Sequence, residues 1–210
     1  SVAIKAMLVH CCSWGDVGKV LHDKFVPQIP RLRKKEVLKW IGYGYPNPEI
    51  SSFCTDQRVT LVGYGELPNG MQSEFNFPLP SCLISKAVSK RLTITLAWLS
   101  PIASCNQDYR LAKLSFRTKS SLIAKDISDS DERAAKRGTV QHEVFVGKQA
   151  STYLSGTNLE IVVSCKKEDR LTYPVKYVLM ATLEVSPEVS LPIYEEIKSS
   201  LAQQVEPLKV

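Results

Sequence analysis

The stretch KRLTITLAWLSP, Lys90 to Pro101, alternates almost without a slip: Leu92, Ile94, Leu96 and Trp98 fall on one side, Arg91, Thr93, Thr95 and Ala97 on the other. A period of two sends successive side chains to opposite faces of a sheet. The stretch therefore predicts a half-buried strand with one face turned to a core and the other to a wetter surface.

Downstream of Gln57 the same period recurs. RVTLVGYGEL (58–67) and QSEFNFPLP (72–80) flank Pro68-Asn69-Gly70, and Asn-Gly between strand-like runs predicts a hairpin. YRLAKLSFRT (109–118) carries Ala112, Leu114 and Phe116 in phase, and GTVQHEVFVG (138–147) carries Val140, His142, Val144 and Val146 in phase. LEIVVSC (159–165) and VKYVLMATLEV (175–185) complete the set. Seven or more strands with no helical period between them predict an antiparallel β-sandwich, jelly-roll-like, over 57–190.

Upstream the period is helical. SVAIKAMLVHCCSW (1–14) is apolar almost all round its wheel, as expected of a helix buried in a larger protein. A mixed stretch follows Trp14-Gly15-Asp16, Pro27 and Pro30 mark a loop, and RLRKKEVLKWIGYG (31–44) predicts a helix stopped by Gly42 and Gly44. Pro46 and Pro48 then forbid regular helix, leaving a turn with a short helix or an extended connection. KDISDSDERAAKRG (125–138) is polar and dense in mixed charge, and predicts an exposed connection with a short helical turn. In LPIYEEIKSSLAQQ (191–204), Ile193, Ile197 and Leu201 recur at helical spacing behind Pro192, so an amphipathic helix is expected within 191–210. The first 56 residues thus form a helical part before the β part.

Composition narrows the class. The chain has 210 residues, 44% hydrophobic and 23% charged, an ordinary globular mixture that points away from disordered and fibrous classes. No apolar stretch reaches the ~18 residues of a membrane span. The best, Val2 to Cys12, is broken by Lys5 and His10, so no membrane partner is expected. The chain opens on Ser with no charged leader, as expected when the gene product starts further upstream, where a signal peptide is still compatible. The net charge of +6 is scattered; its longest basic run, Arg31 to Lys35 around Leu32, has no interleaved aromatic residue and reads as the solvated face of a helix rather than a nucleic-acid surface. Of the six cysteines, Cys11 and Cys12 are adjacent and Cys54, Cys82, Cys105 and Cys165 lie far apart with no CxxC pair. Reduced thiols in a reducing, cytoplasmic compartment are expected.

The chain carries no catalytic constellation. No serine sits in a Gly-x-Ser-x-Gly setting, Ser155-Gly156-Thr157 being a turn sequence. His10, His22 and His142 occupy positions suited to structural roles, with His142 in step with a strand's buried face. His10-Cys11-Cys12 has metal-ligating residue types, but neighbours on a helix point about 100° apart. Asp126, Asp129 and Asp131 lack the glycine and the distant glutamate of a calcium loop. The glycines at 42, 44, 63 and 65 have no lysine and no following helix to make a phosphate loop. No catalytic, metal or cofactor residue is expected.

A resemblance adds a context. IKAMLVHCCSW and, some thirty residues later, IGYGYPNPE resemble the segment behind the nucleophile helix of subtilisin-like serine peptidases. RLTITLAWLSP resembles a strand of the β-rich C-terminal domain in large bacterial members of that family. YRLAKLSF, RGTVQHEVFVG, EIVVSCKKED, YVLMATLEVSPE and PIYEEI follow in family order, so the similarity spans essentially the whole chain. It implies a helical remnant of the protease catalytic domain at 1–56, a β-sandwich accessory domain at 57–190 and a C-terminal helix and tail at 191–210. It also implies that the Asp, His and Ser of the triad lie upstream of Ser1, so that this fragment is inert on its own. The partner implied is the upstream catalytic domain. An AAA-type ATPase recruited through exposed edges and 125–137 is the alternative, and nucleic acid a minor one.

Overall fold

In a computed structural model, the described residues are 1–25, 30–47, 54–102, 109–119, 138–147, 157–186 and 190–204. The chain is mainly antiparallel β with a few helices. Helix α1 (Val2–His10) leads into a two-residue strand β1 (Cys12–Ser13), then α2 (Gly15–Lys24) and α3 (Pro30–Ile41). A second short strand, β2 (Tyr45–Pro46), pairs antiparallel with β1.

This helical part closes on itself through small contacts. Trp14 Nε1 donates to the Gly42 carbonyl at 2.9 Å. Gly44, at φ +93°, lies where a Cβ would sit 2.2 Å from the Ser13 carbonyl oxygen, so no other residue fits that turn. The mixed stretch after Trp14 is helical: a Cβ on Gly18 would strike the Trp14 Cβ at 2.2 Å, so the glycine that weakens the helical signal is what lets α2 pack under that side chain. The basic run Arg31 to Lys35 falls on α3.

Seven longer strands follow: β3 (Arg58–Leu67), β4 (Gln72–Pro78), β5 (Lys90–Trp98), β6 (Leu114–Lys119), β7 (Val140–Gly147), β8 (Asn158–Cys165) and β9 (Val175–Val185). They form two antiparallel sheets, one ordered β3-β9-β5-β7 and the other β4-β8-β6, so each strand lies in the opposite sheet from its predecessor. The turn at Pro68-Asn69-Gly70 forms as expected, with Met71 N–H donating to the Pro68 carbonyl at 3.1 Å and Gly70 at φ +76°. The hairpin does not. β3 pairs with β9, β4 with β8, and the turn carries the chain from one sheet to the other. Packing decides this: the Phe75 ring of β4 occupies the space a Cβ on Gly63 of β3 would take, so the two strands meet by side chain rather than by backbone.

Both sheets contribute to one apolar cluster. Leu92, Ile94, Leu96 and Trp98 enter it as expected, the last three at 0% exposure. Opposite them come Phe77, Leu114, Phe116, Leu159, Ile161 and Val163 of the other sheet. Helix α4 (Ile193–Gln204) adds Ile193 and Ile197 to the same cluster, and Glu196 anchors it by accepting from Ser81 Oγ at 3.0 Å and Cys82 N–H at 3.1 Å. Strand β8 is buried on alternate residues, the signature of one wet face.

β5 departs from that expectation. Thr93, Thr95 and Ala97 are as buried as its core face, because α1 lies over that side of the four-stranded sheet. Ala6 packs there with Ala97, Val140, Val178 and Met180, flanked by Val2, Ala3 and Val9. β7 is also inverted relative to its expected phase: Gln141, Glu143 and Phe145 share the core face of β5, whereas Val140, His142, Val144 and Val146 lie on the side of α1, with Val140 buried there. No helix among the described residues is long and apolar enough to cross a membrane.

Candidate functional site

The densest polar arrangement lies between α1 and the four-stranded sheet. Strand pairing sets out its rows: Thr60, Thr182 and Thr93 lie side by side on β3, β9 and β5, and the next row brings Met180, Thr95 and His142 together. His10, in the last turn of α1, drops into the step between these rows. Its Nδ1 lies 2.8 Å from Thr95 Oγ1 and its Nε2 2.6 Å from Thr182 Oγ1. Thr182 is bonded on to Thr60 at 2.7 Å, and Thr95 on to His142 Nδ1 at 2.8 Å. Tyr43, just beyond α3, meets the edge of the His142 ring with centroids 5.5 Å apart. One chain of side chains thus ties α1, four strands and the α3 turn together.

The electrostatics of this site favour a neutral imidazole. His10 is 3% exposed and both its partners are uncharged hydroxyls, so burial, with a smaller contribution from the Arg91 charge, pushes its pKa down to about 4. Nearly midway along the helix, Lys5 Nζ donates to Thr139 Oγ1 and to the Trp98 carbonyl; burial first and Arg110 second lower its pKa. α1 is therefore pinned by polar contacts at two points along its length.

The Thr95 and Thr182 hydroxyls that meet His10 are buried beneath α1. Cys11 and Cys12, the other candidate ligands, turn to the helix carbonyl of Leu8, at 3.4 and 3.0 Å, and burial, then Cys11, raises the Cys12 thiol pKa. Among the described residues no three His, Cys, Asp or Glu side chains gather in a way that could hold a metal. Asp126, Asp129, Asp131, Ser155 and Gly156 lie outside the described residues. Gly63 and Gly65 make room for rings: a Cβ on Gly65 would sit 2.6 Å from the Tyr177 hydroxyl, and Phe75 and Tyr177 pack edge to face at 6.0 Å. His22 lies exposed on α2.

Sequence reading missed the His10 network because its members are 85 and 172 residues apart. The available signal was the threonines alternating through β5, which are polar yet β-branched and fit a face that is both packed and hydrogen-bonded.

A second feature is apolar. Ile4, Met7 and Leu8 project from α1 away from the sheet, Ile4 and Leu8 more than half exposed, while the side that meets the sheet carries the small Ala3 and Ala6. The bulkier residues of α1 point outward.

No family model matches the chain. Over 86 residues it is 29% identical to "Uncharacterized protein y4bN" of Sinorhizobium fredii (strain NBRC 101917 / NGR234), covering 41% of this chain and 20% of that protein, so it spans about a fifth of that relative's length. Among solved structures, a chain of the cyanophage Pam1 capsid asymmetric unit is similar at a TM-score of 0.32, with 14% identity over 64% of this chain and 90% of that one. A chain of the acidic stable capsid of Helicobacter pylori bacteriophage KHP30 gives a TM-score of 0.23, with 13% identity over 62% and 94%. At these TM-scores neither likeness carries an argument.

Proposed function

We propose that this chain is the C-terminal part of a subtilisin-like serine endopeptidase, a jelly-roll-like β-sandwich that buttresses an upstream catalytic domain through α1. The passage of consecutive strands from sheet to sheet, in the orders β3-β9-β5-β7 and β4-β8-β6, supports the sandwich, as does the apolar cluster to which both sheets contribute. The observation that carries the functional reading is the outward face of α1. A helix that sets Ala3 and Ala6 against a sheet and Ile4, Met7 and Leu8 toward solvent is shaped to lie between two layers, and the reading supplies the second as the catalytic domain.

The test compares the isolated chain with the polypeptide that joins it to its upstream domain. The isolated chain leaves casein uncleaved and the joined polypeptide hydrolyses it. The double substitution Ile4→Glu with Leu8→Glu lowers that hydrolysis at least tenfold while the β part stays folded by circular dichroism. Cleavage by the isolated chain, or full activity in the double variant, overturns the assignment. Retention of an AAA-type ATPase by the isolated chain through the same face moves the role to recruitment; the segment 125–137 lies outside the described residues.

A further inference from the structure

α1 is held to the sheet by little apolar bulk. Its apolar contacts are the buried Ala6 and the partly buried Val2, Ala3 and Val9, and the one large side chain it buries is the polar His10. Beside the Lys5 contacts, the docked state of the helix thus relies on an imidazole clasped by Thr95 and Thr182.

The charges around that clasp are predominantly positive. One row beyond Thr60 and Thr182, strand pairing sets Arg58, Glu184 and Arg91 side by side, two cations to one anion. β7 contributes His142, the turn after α3 contributes Tyr43, β2 brings Tyr45, and α1 itself carries Lys5, Cys11 and Cys12. Glu184 is the carboxylate among these groups, and in register it lies between the two arginines.

We propose that His10 is an acid-labile latch, whose protonation releases α1 from the four-stranded sheet while the two sheets stay folded. A neutral ring needs one donor and one acceptor, which two rotatable hydroxyls supply; an imidazolium still finds both oxygens but places a buried charge against dipoles alone. Released, α1 puts His10 in water, where the proton is held without cost. The depressed pKa of about 4 against the ordinary 6.5 gives the direction: docking is strongest above pH 6.5 and weakens by up to about tenfold per pH unit below it, about 160-fold in all by pH 4. This inference rests on the docked geometry of α1 and is independent of the protease reading.

Amide hydrogen exchange across α1 and the β strands, corrected for intrinsic rates at pH 7.5, 6.0, 5.0 and 4.5, tests it on the full chain. Protection of residues 2–10 falls by about tenfold per unit below pH 6.5 while β5 and β9 keep theirs. His10→Gln removes the slope and His142→Gln retains it. A flat profile, a slope that survives in His10→Gln, or strands that lose protection together with α1 overturns the proposal. If His10→Gln does not fold, the His10 ring titration by NMR decides: a midpoint well below 5.5 supports the latch and one near 6.5 overturns it.

Discussion

Gly65 shows how a single residue holds its place by what it lacks. It faces the apolar cluster from β3, and the Tyr177 ring, 3% exposed, fills the volume a side chain would need. Because Tyr177 is locked in the cluster, Gly65→Ala forces it to shift, and a loss of about 1–3 kcal/mol is expected from overpacking, read as a lowered urea midpoint at unchanged slope. From sequence, VGYG offered two residues of strand propensity and two of turn propensity. Which prevailed depended on an aromatic residue 112 positions downstream, a distance no local pattern reports.

At the scale of the element, β7 joins the two sheets through one side chain. Gln141 is buried, accepts from Phe116 N–H at 2.9 Å and donates to the Phe116 carbonyl at 3.3 Å, so a residue of the four-stranded sheet satisfies the backbone of β6 in the other. Gln141→Leu keeps the volume and strands both Phe116 backbone groups. About 1–3 kcal/mol of stability is expected to be lost, with faster amide exchange at Phe116 as the direct check. Alternation in GTVQHEVFVG predicted the strand but assigned its faces the wrong way round. Gln141 and Glu143 occupy the inner side because a hydrogen-bonding task awaits there, and hydrophobicity alone sends Val140, Val144 and Val146 inward instead. The clean alternation of β5 misled in the opposite sense, since its threonines are polar yet lie beneath α1.

For the whole molecule, pH links the helical part to the β part. His10 in the docked chain has its pKa depressed to about 4, so its stabilising contribution is fully present above pH 6.5 and is lost as the solution is acidified through 4. Between pH 7.5 and 4.5 this amounts to about 2.5 kcal/mol of α1 docking. Proteolytic cleavage within residues 2–10 at the two pH values, corrected for the rate on the unfolded peptide, checks it: the wild type becomes more susceptible at pH 4.5 and His10→Gln does not, while the sheets keep the same urea midpoint in both.

Local chemistry was enough to determine the class of this chain and the places of most of its elements. A period of two from β3 to β9, a helical period in α1, α3 and α4, and a turn at Asn69-Gly70 follow from side-chain spacing and backbone sterics, which act within a few residues. The tertiary structure decided the partners: β3 with β9 instead of β4, α1 over the threonine face of β5, His10 between Thr95 and Thr182. These depend on contacts between residues far apart in the chain, where the fit of a ring to a glycine or of an imidazole to two hydroxyls selects one pairing among many that the same alternating pattern allows.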